Sequence, residues 1–129
     1  MPANTTPIYT NVARADIGQL SIANTNRDGT GTVVTVATAG ANGTRIDLIR
    51  ICATVTTTAG VVRLFIYDGT NYRLYREILV TAITPSTTVE VYSFSFRPDE
   101  PLILPSGYSL RASTHNGETF NVHIHGGDY

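Results

Sequence analysis

Turn chemistry interrupts this chain roughly every ten residues. Between the interruptions no apolar pattern holds a helical period for more than a turn or two. NTNRDGTG, AGANG, DGTN, PSG and HNGE each gather the Gly, Asn, Asp and Ser that favour tight turns. The segments between them are rich in Val, Ile, Thr and Tyr, side chains that fit a pleated surface better than a helix. Strands are therefore expected at Ile17–Ala23, Thr32–Thr38, Thr44–Thr56, Val61–Gly69, Tyr72–Val80, Thr88–Phe96, Tyr108–Thr114 and Thr119–His125. In Thr44–Thr56 the apolar parity switches between Leu48 and Ile49, which predicts a β-bulge there or burial on both faces. Pro98, Pro101 and Pro105 exclude a regular central strand between them, so Leu102 and Leu104 are expected to plug one end of the core.

No β-α-β alternation is present, which argues against a parallel sheet. An all-β, antiparallel β-sandwich of about eight strands is expected, jelly-roll-like in its strand number. An immunoglobulin-like sandwich is the alternative, although the chain lacks that fold's usual cysteine pair and tryptophan. At 129 residues one such domain is expected. Residues 1–12 read as an extended polar arm with Pro2 and Pro7, and residues 13–129 as the sandwich.

Charged residues make up 15% of the chain, against roughly 25% in average globular proteins. Every basic residue is an arginine, the cation best suited to packed, bidentate contacts. The net charge of −1 and the absence of an arginine run argue against nucleic-acid binding. No stretch has the length of a membrane span, and no charged-then-apolar leader opens the sequence. Synthesis in a cytoplasm is expected. Cys52, the single cysteine, sits in an apolar run and reads as a small buried hydrophobe.

The candidates for chemistry are few. His123 and His125 share one strand face, and His115 lies across the HNGE turn from them. Three such imidazoles with an open fourth position are the donor set of a catalytic zinc site. However, Val122 and Ile124 alternate with His123 and His125 and are expected to face the core, which puts the histidines outside. No metal and no other cofactor is expected, and no catalytic residue is identified. The DGTG and DGTN turns offer too few acids for a calcium loop, and no nucleophile or Walker motif is present. In the hairpin around DGTN, Arg63, Arg73 and Arg76 fall near Tyr67, Tyr72 and Tyr75, so arginine–aromatic stacking is feasible.

Five stretches together, MPANTTPIYT, DGTGTVVTVATAGANGTRIDLIRI, RLFIYDGTN, LPSGYSL and the terminal GGDY, resemble a group of small virion proteins of tailed bacteriophages. Within that group the chain is most similar to capsid decoration, or cement, proteins. The resemblance implies a non-enzymatic β-sandwich, homotrimeric, that binds the major capsid protein on the outside of the head and stabilises the shell. Pro7, Ile8 and Tyr9 in the arm, and Tyr67, Tyr72 and Arg73 at the hairpin, are the candidate partner contacts. Two other readings stand beside it: a carbohydrate- or receptor-binding sandwich of a tail or baseplate, and a cupin-like metalloenzyme using His115, His123 and His125.

Overall fold

The computed structural model describes residues 10–98 and 102–129. Among them are nine strands and no helix: β1 (Val12–Leu20), β2 (Val34–Thr38), β3 (Thr44–Ala53), β4 (Gly60–Tyr67), β5 (Tyr72–Val80), β6 (Ser93–Phe96), β7 (Leu102–Leu104), β8 (Ser109–Thr114) and β9 (Phe120–Asp128). One sheet has the order β1-β9-β3-β6, with β7 also on β3. The other has the order β2-β8-β4-β5. All strand pairings are antiparallel.

The pairs are nested. β4 turns directly into β5, β3 pairs with β6 and β7, β2 with β8, and β1 with β9. A hairpin folded in half onto itself in this way is the jelly-roll topology. β6 and β7 occupy one strand position. β6 pairs with Ile49–Cys52 and β7 continues along Thr44–Ile46 of the same β3. Eight strand positions result, as the turn spacing predicts. The proline-containing segment interrupts one of them without removing Leu102 and Leu104 from the sheet. Leu104 is buried, so it does close the core at that end.

The core lies between the sheets. Leu20, Ile46, Ile49, Ile51, Phe120, Val122 and Ile124 come from one side, and Val62, Leu64, Ile78, Val80, Leu110 and Ala112 from the other. The bulge in β3 falls between Ile46 and Leu48, next to its predicted place. Asp47 is the extra residue, and its insertion lets Ile46 and Ile49 both point inward. On the open side of the sandwich, the Arg76 guanidinium sits 4.1 Å from the Phe96 ring centre and bridges from β5 to β6.

Two expected strands move. The first runs Val12–Leu20 instead of Ile17–Ala23, because Asn24 leaves the strand path, its side chain bonding the carbonyls of Thr30 and Thr32. The sixth keeps only Ser93–Phe96 of Thr88–Phe96. The Ser86 hydroxyl accepts from the N–H groups of Thr88 and Val89 and closes a turn there before the sheet begins. Cys52 is half-buried and lies on the outer parity of β3, not in the core.

The GGDY end completes strand β9. Gly126 lies against the β3 backbone so closely that a Cβ there would meet the Arg45 carbonyl oxygen at 1.9 Å. Gly127 is also close-packed: a Cβ there would meet the Thr10 Cβ at 2.7 Å and the Val12 carbonyl oxygen at 2.8 Å. Asp128 then accepts from Thr44 Oγ1 (2.6 Å) and Arg14 Nη1 (2.9 Å), and Arg14 also forks onto both oxygens of Asp16. First and last strands are thereby clasped to the start of β3. Thr44, and then Arg14, hold the Asp128 carboxyl below its usual range. Arg27, and then Arg63, do the same for Glu77. A depressed carboxylate contributes stability above its unfolded value, near pH 4, and that contribution is lost as pH falls through the folded value. Acid titration of unfolding should therefore show stability falling below about pH 4. The Asp128→Asn variant is expected to be less stable at neutral pH and to show a shallower acid dependence.

Candidate interaction surfaces

Three surfaces carry the residues singled out by sequence. The first is the outer face of the β1-β9-β3-β6 sheet. Ile17 stands opposite His123, which stands opposite Arg50, which stands opposite Ser95. The adjoining row is Ala15, His125 and Leu48. Val122 and Ile124 do face the core, so both histidines point outward as expected. Ile17 is 74% exposed although it is the most apolar side chain of its strand, whereas Arg14 and Asp16 lie on the inward parity. A groove of about 390 Å³ runs between β1 and β9, lined by Ile17, Gly18, Gln19, Asn121 and His123. The Gln19 amide donates to Asn121 Oδ1 across it (3.0 Å). The Arg50 guanidinium has no hydrogen-bond or ion-pair partner among the described residues.

The second surface is the outer face of the four-stranded sheet, and it is covered in part, with Leu74 and Leu79 of β5 left exposed. The connection from β1 to β2 folds across it, with Ala23 bridging to Thr114 and Gly29 seated against Tyr72. Beneath it Arg63 is 1% exposed. Its guanidinium donates to Glu77 Oε2 (2.8 Å) and the Asn24 carbonyl (3.1 Å), and its remaining arm meets His115 Nδ1 (3.2 Å). Arginine only donates, so His115 Nδ1 must be the acceptor and the ring carries its proton on Nε2. Arg27 closes the outside of the same network on Glu77 (2.9 Å). His115 thus belongs to a structural ion-pair network on the sheet opposite His123 and His125. No group of three or more His, Cys, Asp or Glu side chains able to hold a metal occurs among the described residues.

The third surface is the β4–β5 hairpin. Asp68 accepts from the N–H groups of Thr70 (2.9 Å) and Asn71 (2.7 Å), which fixes the DGTN turn. Tyr67 and Tyr72 pair across it with ring centres 4.4 Å apart. The arginine on these rings is Arg111 of β8, 4.2 Å from the Tyr67 centre, and it also donates to the Tyr72 hydroxyl (2.7 Å). Arg63 is buried with Glu77, and Arg76 stacks on Phe94 and Phe96, away from the Tyr67–Tyr72 pair. Arg73 is exposed, and its one hydrogen bond goes to the Tyr72 carbonyl. Pro7, Ile8 and Tyr9 lie outside the described residues.

Sequence reading missed Arg50, Arg111 and the buried role of Arg63. The register of β3, β9 and β8 reveals them, and no local motif does.

No protein-family model and no curated protein matches the chain. Among solved structures it is similar to a pentameric capsid protein isolated from metagenomic phage sequences, with a TM-score of 0.41 and 14% identity over 95% of this chain and 65% of that one. A second structure of a pentameric capsid protein from metagenomic phage sequences gives a TM-score of 0.38 and 16% identity over 95% of this chain and 62% of that one. The chain spans less than two thirds of the length of either.

Proposed function

We propose that the chain is a non-enzymatic structural subunit of a tailed-phage particle, a decoration module that binds the outside of the head and stabilises it by contacts with the major capsid protein and with its own copies. The observation that carries this reading is a nested sandwich whose β1-β9-β3-β6 face is open and carries Arg50 with the exposed Ile17 and Ile103, while a loop of the chain covers part of the other face. Jelly rolls of this kind recur in capsid proteins, and arginine with exposed apolar groups is the composition of contact surfaces. The sequence resemblance points the same way. The arm, the segment that precedes β1, would add contacts to a neighbouring subunit, with Pro7, Ile8 and Tyr9 as its anchors. Tyr67, Tyr72 and Arg73 would serve at the hairpin. A homotrimer is the expected assembly.

The two rival readings find less support. A sugar platform needs free aromatic faces, whereas Arg111 lies over Tyr67 and Gly29 sits on Tyr72. A cupin-like centre needs its histidines to converge, whereas His115 is committed to Arg63 on the other sheet.

Heads and tails separated from purified particles provide the test. The chain should co-sediment with heads, and added protein should rebind heads stripped of it. Recovery with tails alone would reject the head assignment. Removal of residues 2–10 is expected to reduce head occupancy at least about tenfold if the arm supplies ordered contacts. Unchanged occupancy would remove the arm from the proposal.

A further inference from the structure

Nearly every charged side chain among the described residues has a partner. Asp16, Asp47, Glu77 and Asp128 pair with arginine or accept from it. Asp28, Asp68 and Glu118 accept from turn N–H groups and threonine hydroxyls. Glu90 is the one carboxylate among the described residues without a hydrogen bond or ion pair. It follows Val89, an apolar side chain left 47% exposed. Val89 belongs to the turn that Ser86 closes, in which the Ser86 N–H also donates to the Val89 carbonyl (2.9 Å), and Glu90 follows it directly. The turn backbone is thus already ordered before docking.

The complementary surface is on the same molecule. The groove at Ile17 and His123, about 390 Å³, is larger than a valine side chain and has Ile17 as its apolar wall. One strand spacing beyond His123, about 4.8 Å, stands Arg50, exposed and with no side-chain partner among the described residues. The carboxylate nearest to it along β3, Asp47, is already held by Arg45 (2.8 Å). Arg97, the other arginine without a partner among the described residues, lies just past β6 on the strand that follows the Glu90 turn, away from the groove. The turn precedes β6, at one edge of the sheet, and the groove lies at the opposite edge, between β1 and β9. A subunit with its plug at one edge and its socket at the other joins copies head to tail, the kind of contact that closes rings.

We infer that the Val89–Glu90 turn of one copy docks on the Ile17–His123 groove of the next, with Glu90 paired to the neighbour's Arg50, and that this contact builds the oligomer. The inference rests on the self-association part of the proposed function and names the surfaces that perform it.

A charge-exchange series on the full chain, read by sedimentation velocity over a range of concentrations, provides the test. Glu90→Arg and Arg50→Glu should each raise the concentration at which the oligomer dissociates roughly thirtyfold or more, because like charges then face each other. The double variant E90R/R50E should restore most of the wild-type assembly. Ile17→Asp should also dissociate the oligomer, and circular dichroism should show it still folded, since residue 17 is on the open face. A monomeric wild type, single variants that assemble normally, or a double variant that stays dissociated would each overturn the inference. Head rebinding by the same variants separates the two levels. A wild-type monomer whose head binding is lost in Ile17→Asp would assign the groove to the shell protein and reject a second copy. Normal assembly with no head binding would reject the proposed function and leave the contact intact.

Discussion

Gly126→Ala should abolish the folded protein. A methyl group at this position would lie 1.9 Å from the Arg45 carbonyl oxygen and 2.9 Å from its carbon. Both are backbone atoms of a paired strand, so no side-chain rotation relieves the clash. β9 cannot retreat, because it is hydrogen-bonded to β1 on one side and β3 on the other. The choice is between breaking the β3–β9 register at the bulge and losing the Asp128 clasp beyond it. The expected cost exceeds about 4 kcal/mol, the range reached only by a few severe mechanisms. Against a total stability of roughly 5–15 kcal/mol, little or no soluble protein should remain. Gly117→Ala is the control: its added Cβ would meet nothing closer than 3.8 Å, and a change within about 0.5 kcal/mol is expected. Urea unfolding of both variants checks the pair.

The second large effect is expected from Arg63→Met. Methionine fills much of the same space, so the loss would be chiefly of the three polar partners. Glu77 keeps Arg27, but the Asn24 carbonyl and His115 Nδ1 lose their donor under the β1–β2 connection. Breaking a buried charge network by removing one member costs about 3–5 kcal/mol. Arg63→Lys should recover only part, because an ammonium cannot serve three acceptors in the fixed planar arrangement of a guanidinium. Hydrogen exchange would locate the damage. Protection should be lost first around Asn24 and at the end of β8, with β3 and β9 affected last.

These sites explain what the sequence disclosed. Strand number, the antiparallel sandwich and the bulge beside Leu48 were legible because they follow from turn spacing and the parity of Ile46, Ile49 and Ile51. The outward histidines were legible for the same reason, through Val122 and Ile124. The first strand was misread because β1 inverts the usual pattern. Arg14 and Asp16 lie on the inner parity as part of the Asp128 clasp, while Ile17 faces out. Residues 88–92 alternate like a strand, yet a serine hydroxyl captures two of their N–H groups first. Arg63 sits among the apolar residues of VVRLFIY, and only a loop some forty positions earlier supplies its acceptor. Arg111 reaches tyrosines equally remote in sequence. The partners of these arginines are set by strand order, which local spacing does not encode.

The GGDY ending gains a physical account from the same geometry. Two positions must lack a side chain so that β9 can lie flush against both neighbours, and the aspartate then ties together Arg14, Thr44 and the turn at Gly40. That explanation concerns stability and is independent of the role proposed for the open face.

Electron cryomicroscopy of the intact particle tests the functional proposal most directly. The account predicts sandwich-shaped density for this chain on the outer surface of the head, its copies joined to one another with the β1-β9-β3-β6 sheet engaged in contacts. Density for the chain confined to the tail or baseplate would contradict it.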